Sequence, residues 1–201
     1  MKSLKITIAA LALAAFTFGA KAQTTTKSAT APGPRLSIGA DAGIPTGNLN
    51  NGYNWNLGGS AELEVPIAKQ LFVTLDAGYN NIFGKKNATY SIISGTSTAS
   101  NSANVQNIET LPVKLGLKFF PVSNFYIQGE AGAGFLLNKS DLAYTKSTAF
   151  IYAPQVGVLL PLNASSNLDL GVRYEGSTKY TDYSGTSINF VALRVAYSFK
   201  L

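Results

Sequence analysis

The chain has 201 residues, of which 46% are hydrophobic and only 13% charged, about half the charge usual for soluble domains. It contains no cysteine and no histidine, which excludes disulfides, a thiol nucleophile, a zinc finger, haem ligation and any histidine-based catalytic triad. Its net charge of +6 falls to +3 without Lys2, Lys5 and Lys21, and Lys85–Lys86 is the only adjacent basic pair. No basic stripe is present, so nucleic acid is not an expected partner.

Met1 to Lys5 is short and positive, Ile6 to Phe18 is apolar, and Ala20-Lys21-Ala22 has the small-x-small form read by signal peptidase. Residues 1–22 are therefore expected to be a signal peptide cleaved after Ala22. The apolar run is shorter than the ~20 residues of a spanning helix, and there is no cysteine to carry a lipid anchor. Residues 23–34, polar and ending in Pro-Gly-Pro, read as a flexible linker. The folded domain is expected over residues 35–201.

From there the chain alternates with period two, the signature of half-buried strands. Leu36, Ile38, Ala40, Ala42 and Ile44 share one face, against Ser37, Gly39, Asp41 and Gly43. The second segment sets Trp55, Leu57, Ala61, Leu63 and Val65 against Asn56, Gly58, Ser60, Glu62 and Glu64. The third sets Leu71, Val73, Leu75, Ala77 and Tyr79 against Thr74, Asp76, Gly78 and Asn80. The fourth opposes Leu111, Val113, Leu115, Leu117 and Phe119 to Thr110, Lys114, Gly116 and Lys118. In the fifth, Phe125, Ile127, Ala131, Ala133 and Phe135 oppose Gln128, Glu130, Gly132 and Gly134. The sixth is less regular, with Val156, Val158 and Leu160 opposite Gln155 and Gly157. The seventh places Leu168, Leu170, Val172 and Tyr174 against Asp169, Gly171, Arg173 and Glu175. The last places Val191, Leu193, Val195, Tyr197 and Phe199 against Ala192, Arg194, Ala196 and Ser198.

Eight strands of roughly 9–12 residues suit a tilted crossing of a bilayer. Short links at Pro66–Gln70, Pro121–Asn124 and Pro161–Asn167 alternate with long ones at Pro45–Asn54, Asn80–Asn107, Asn138–Ala149 and Gly176–Ser187. The reading is an all-β, eight-stranded, antiparallel up-and-down transmembrane β-barrel, with the long loops outside the cell. Pro112 and Pro154 fall inside strands and imply a bulge near a rim or a displaced boundary.

The same alternation turned inside out would make a soluble, lipocalin-like periplasmic barrel holding an apolar ligand. The polar face argues for the membrane form. It carries about nine glycines, which weaken a solvent-facing strand but make room for long side chains in a narrow interior. The expected lumen charge network is Asp41, Glu62, Glu64, Asp76, Glu130, Asp169 and Glu175 with Lys114, Lys118, Arg173 and Arg194. Trp55, Tyr79, Phe119, Phe125, Phe135, Tyr174, Tyr197 and Phe199 stand toward strand ends, as an interfacial aromatic girdle would.

Three stretches carry a family resemblance: Glu109–Phe120 (ETLPVKLGLKFF), Phe125–Phe135 (FYIQGEAGAGF) and Val195–Phe199 (VAYSF). In their order, and with the leader, the chain resembles the small outer-membrane β-barrel domain proteins of Bacteroidota-type bacteria, including the PorT-like group. The ending departs from the commonest pattern, because Lys200 and Leu201 follow Phe199. The resemblance implies a Gram-negative outer membrane, with its lipid and the barrel-insertion machinery as partners, and no single shared activity.

No enzyme, cofactor or metal is expected. Glu62 and Glu64 could form a catalytic carboxylate pair, but membership of the lumen network accounts for them better. Gly129–Gly134 lies within a strand and opens no helix, so it is not a dinucleotide fingerprint. Eight strands enclose an interior that side chains fill, so a plugged, monomeric barrel is expected, with a narrow pore as the alternative. The long loops are the remaining surface. Tyr90, Tyr144, Tyr180 and Tyr183 are candidate contacts for a surface protein or glycan, and Thr89–Ile93 could offer a strand edge.

Overall fold

The computed structural model describes residues 33–94, 97–142, 145–181 and 187–201. The expected signal peptide, nearly all of the expected linker, Tyr144 and Tyr183 lie outside them. The strands are β1 (Arg35–Pro45), β2 (Tyr53–Ala68), β3 (Leu71–Gly84), β4 (Ala88–Ser94), β5 (Ser97–Ala103), β6 (Ile108–Phe119), β7 (Phe125–Leu136), β8 (Thr148–Pro161), β9 (Ser166–Ser177) and β10 (Asn189–Lys200). Eight of them close an antiparallel barrel in the order β1-β10-β9-β8-β7-β6-β3-β2, and β4 pairs with β5 in a separate two-stranded sheet. First and last strands meet from Arg35↔Lys200 to Pro45↔Phe190, so the barrel has no open edge.

The alternation sets which way each side chain points. Ile38, Leu115, Leu193 and Val195 are 58%, 59%, 63% and 51% exposed, whereas Glu62, Asp76 and Lys118 are fully buried. Apolar groups outside and charges inside reverse the arrangement of a soluble ligand-binding barrel, and the lipocalin-like alternative is set aside on that ground.

The prolines behave differently from expectation. Neither lies at a bulge or a strand end. Both stay in register on one side, as Pro112↔Gly134 and Gly129↔Pro154. On the other side the pairing lapses, between Ala77↔Val113 and Asn80↔Thr110 and between Tyr152↔Gly176 and Gln155↔Arg173. A missing N–H thus interrupts one ladder and leaves the strand's course intact. The actual irregularities lie at the two ends of β2, between Tyr53 and Trp55 and between Pro66 and Ala68.

Several boundaries also move. β2 runs through Pro66, assigned from sequence to a turn, β3 continues past Asn80 to Gly84, and β8 begins at Thr148. The start of β8 was obscured because Ala149, Ile151 and Ala153 face inward while Phe150 and Tyr152 face outward. With both faces apolar there is no alternation to read.

The short turns share one end of the barrel with Arg35 and Lys200, where its first and last strands begin and end, and the four long connections share the other. In the β8–β9 turn the Asn163 carboxamide oxygen accepts from the Ser165 and Ser166 amides at 2.9 Å each, an Asx-type turn. At the opposite end Gly47, at φ 60°, opens a 3-10 turn over Gly47–Asn51.

The apolar wall yields a direct test. Leu193 faces outward at mid-strand between Ala42 and Val172. Leu193→Arg should cost about 2–4 kcal/mol for a midplane charge, measured by urea unfolding in bilayers. A change within about 0.5 kcal/mol, the usual range at a water-facing position, would contradict a lipid-facing wall.

Candidate functional site: the charged lumen and the extracellular rim

The interior is layered, because inward positions on all eight strands converge at each depth. At the short-turn end Phe72, Phe120, Tyr126 and Leu159 form one apolar cluster. Phe72 and Phe120 meet edge-on at 5.5 Å, and the Arg35 guanidinium lies 4.3 Å and 5.0 Å from their centroids. Arg35 also holds Glu64, with its Nε donating at 2.9 Å and Nη2 at 2.6 Å from the carboxylate.

Above this, Lys118 is the centre of the lower charge cluster. Its Nζ lies 2.8 Å from Glu62, 2.7 Å from Glu64 and 3.4 Å from Asp169. It also sits 4.3 Å from the Tyr126 centroid. The Tyr126 hydroxyl donates to Asp169 at 2.7 Å and accepts from Gln155 Nε2 at 2.6 Å. Gln128 Nε2 donates to the other Glu62 oxygen at 2.7 Å.

The upper cluster has three cations. Lys114 Nζ reaches Glu175 at 3.0 Å, Asp76 at 3.3 Å and Glu130 at 3.5 Å. Arg173 lies 3.6 Å from Asp76, 3.7 Å from Asp41 and 3.9 Å from Glu130. Arg194 pairs with Asp41 at 3.5 Å and donates to Ser60. Gln155 joins the two clusters, because its Oε1 accepts from Arg173 Nε at 2.7 Å while its amide nitrogen donates to Tyr126.

All eleven sequence-derived charged residues therefore lie inside the barrel. Arg35 joins them, although the first-strand reading had begun at Leu36. It shares the inward parity of Ser37 and Asp41, and that parity was the available signal. Oxygens of Glu62, Asp76 and Glu130, and of Glu62, Glu64 and Asp169, lie within 4.8 Å of one another. Lysine ammoniums already stand against these carboxylates: Lys114 on Asp76 and Glu130 of the first group, whose Glu62 is held by Lys118, and Lys118 on all three acids of the second. The chain thus supplies its own cation where a metal would bind.

At the long-loop end a second apolar cluster fills the mouth: Leu49, Ile82, Ile108, Leu136, Ala149, Tyr180, Ile188, Phe190 and Ala192, with Tyr53 and Leu142 against it. Sequence reasoning missed both apolar ends. Phe72 and Tyr126 sit on the otherwise polar faces of β3 and β7, and an aromatic at such a position marks an inward plug. Tyr180, expected as a loop contact, is buried and donates its hydroxyl to the Gly134 carbonyl at 3.1 Å. It closes the mouth rather than facing a partner. Tyr90 lies on β4.

The outward aromatics fall into two bands. Trp55, Tyr79, Phe135 and Tyr174 lie toward the long-loop end, and Phe119, Phe125, Tyr197 and Phe199 toward the short-turn end. Phe83, Phe150 and Tyr152 add to the first band. They were overlooked because they lie in residues assigned to loops or to the irregular sixth strand.

A closed eight-stranded antiparallel barrel with an apolar wall, charged interior and aromatic bands is the build of a transmembrane β-barrel. The chain belongs to the outer membrane protein beta-barrel domain family, whose model matches residues 8–199. It is an outer-membrane protein of the Gram-negative type. Its fold is similar to that of the outer membrane protein OprG from Pseudomonas aeruginosa, at 12% identity over 85% of this chain and 96% of that one, with a TM-score of 0.52. It is also similar to the Yersinia pestis outer membrane protein Ail in a phospholipid nanodisc, at 16% identity over 84% and 99% of the two chains, with a TM-score of 0.50. No curated protein matches it in sequence.

Lys118 offers the sharpest test of the interior. Lys118→Met leaves three buried carboxylates without their shared cation and should destabilise the barrel by about 3–5 kcal/mol. Lys118→Arg, which keeps the charge, should lose markedly less. Urea unfolding in detergent micelles, read by the emission of Trp55, measures both, and equal losses would show that packing rather than charge is responsible.

Proposed function

We propose that this protein is a monomeric, non-enzymatic outer-membrane barrel whose lumen is held shut by its charge network. It acts at the cell surface through its extracellular loops, with a protein or glycan as partner. In this reading the chain is exported with a leader removed after Ala22 and inserted by the barrel machinery. The observation that carries it is the filling of the interior. Five cations and seven carboxylates interlock between two apolar clusters, so solutes have no polar route from end to end. The absence of histidine and cysteine removes the commonest general base and the thiol nucleophile.

The loop between β3 and β6 supports a surface role. β4 and β5 pair from Ala88↔Ala103 to Ser94↔Ser97, and each has a single partner strand among the described residues. No charged residue occurs from Asn87 to Ile108. Uncharged edges of this kind accept an added strand, since charge and proline are the usual means of blocking one.

The narrow-pore reading is favoured by one observation, the excess of seven acids over five bases in the lumen, which would select cations. Planar-bilayer recording separates the two. The purified monomer should show no sustained single-channel conductance; steady cation-selective steps would establish the pore. Surface pull-downs with the intact barrel and with a form whose four long loops are shortened should differ in captured partners. Identical captures would remove the loops from the function.

A further inference from the structure

The long-loop rim is electrostatically uneven. Between Gly43 and Ser60 the sequence has no charged residue, and between Ala77 and Ile108 it has only Lys85 and Lys86. The other two long loops carry both signs, with Lys139, Asp141 and Lys146 in one and Lys179 and Asp182 in the other. The sector over β2 and β3 is therefore purely cationic beyond the strand ends. The nearest outward acid, Glu109 on β6, stands opposite Asn81, two residues before Phe83.

The same sector holds the chain's only tryptophan. Trp55 is 45% exposed and stacks on Phe83 at 4.1 Å between centroids and 14° between planes. A β-bulge produces this placement. Tyr53 pairs with Gly84 and Trp55 with Phe83, so Asn54 is the extra residue. It lets Tyr53 pack into the mouth cluster while Trp55 remains on the outer wall. Bulges at barrel rims commonly re-aim side chains in this way.

Lys85 and Lys86 follow Phe83 directly after Gly84. Lys85 is fastened, donating its backbone N–H to the Gly52 carbonyl at 2.8 Å and its Nζ to the Asn50 carbonyl at 2.7 Å. Lys86 is exposed. Below the stacked rings Leu57 and Tyr79 continue the outer wall, 46% and 41% exposed, and the Tyr79 hydroxyl donates to the Glu109 carboxylate on the β6 side, so the hydrocarbon-facing path lies along Leu57 and the Tyr79 ring. Reading toward the membrane, the order is ammonium group, flat aromatic stack, then hydrocarbon-facing wall.

The geometry points to a seat for a phosphorylated, acylated saccharide of the outer leaflet at Trp55, Phe83, Lys85 and Lys86. The ammonium of Lys86 takes the phosphate as a point charge. The Trp55–Phe83 surface receives a sugar face, and acyl chains run down beside Leu57 and Tyr79. A soluble glycan would leave that apolar continuation unused, and a simple anionic phospholipid would leave the aromatic platform unused. The site depends only on placement in the outer membrane and is independent of any protein or glycan bound by the loops.

The single tryptophan reports on it directly. Folded protein in detergent micelles, checked for heat-modifiable gel mobility, is titrated with diphosphorylated lipid A. Parallel titrations use dephosphorylated lipid A, phosphatidylglycerol and inorganic phosphate. A saturable blue shift of Trp55 emission is expected with diphosphorylated lipid A alone. Lys86→Glu should raise the half-saturation point about tenfold, equivalent to about 1.4 kcal/mol. Phe83→Leu should weaken binding while keeping the probe, and Lys179→Glu, across the rim, should leave it within about twofold. The assignment fails if wild type shows no saturable shift, or if phosphatidylglycerol titrates as tightly. It also fails if Lys86→Glu and Lys179→Glu weaken binding equally, because the attraction would then belong to the whole rim.

Discussion

The structure rests on one requirement: at membrane depth every backbone N–H and C=O must find a partner within the protein. A single strand cannot meet it, and neither can an open sheet. The chain meets it by joining its first strand to its last, with Leu36 opposite Phe199 and Ile44 opposite Val191. The two prolines within strands mark local exceptions, each giving up pairing on one side and keeping it on the other.

Closure with eight strands makes a narrow interior, and that narrowness governs what the inward side chains can be. They must fill the space and neutralise one another there, because an unpaired ion in a dry core costs several kcal/mol. The result is a pair of lysines, each ringed by three carboxylates, with Arg35 on Glu64 and with Arg173 and Arg194 on Asp41, the seventh acid. Small residues make room for them. A Cβ at Gly116 would press on Glu130, and one at Gly171 would meet the Tyr126 hydroxyl at 2.8 Å. Gly116 and Gly171 are therefore spacers for the long side chains beside them.

Much of this was legible because it is local. Period-two alternation named the strands, and the glycine-rich, charged face against the aliphatic one indicated which side met lipid. Alternation failed where both faces were apolar, at the start of β8 and at the top of β3, because residues such as Ile82 and Ile151 point inward to the apolar clusters. Tyr180 was misplaced for a related reason. Loop residues that fold back into the mouth look, in sequence, like loop residues that face water.

By itself, the sequence determined the number of barrel strands, the lipid-facing wall, eleven of the twelve lumen charges and the outer-membrane character of the fold. Each follows from backbone geometry and side-chain type over a few consecutive residues. Only the tertiary structure decided that Lys118 gathers Glu62, Glu64 and Asp169, that Arg35 lies over both Phe72 and Phe120, and that Trp55 lies on Phe83. Those partners stand on strands far apart in the chain or are re-aimed by a bulge. Their meeting depends on registers accumulated around a closed ring, and no local pattern encodes that accumulation.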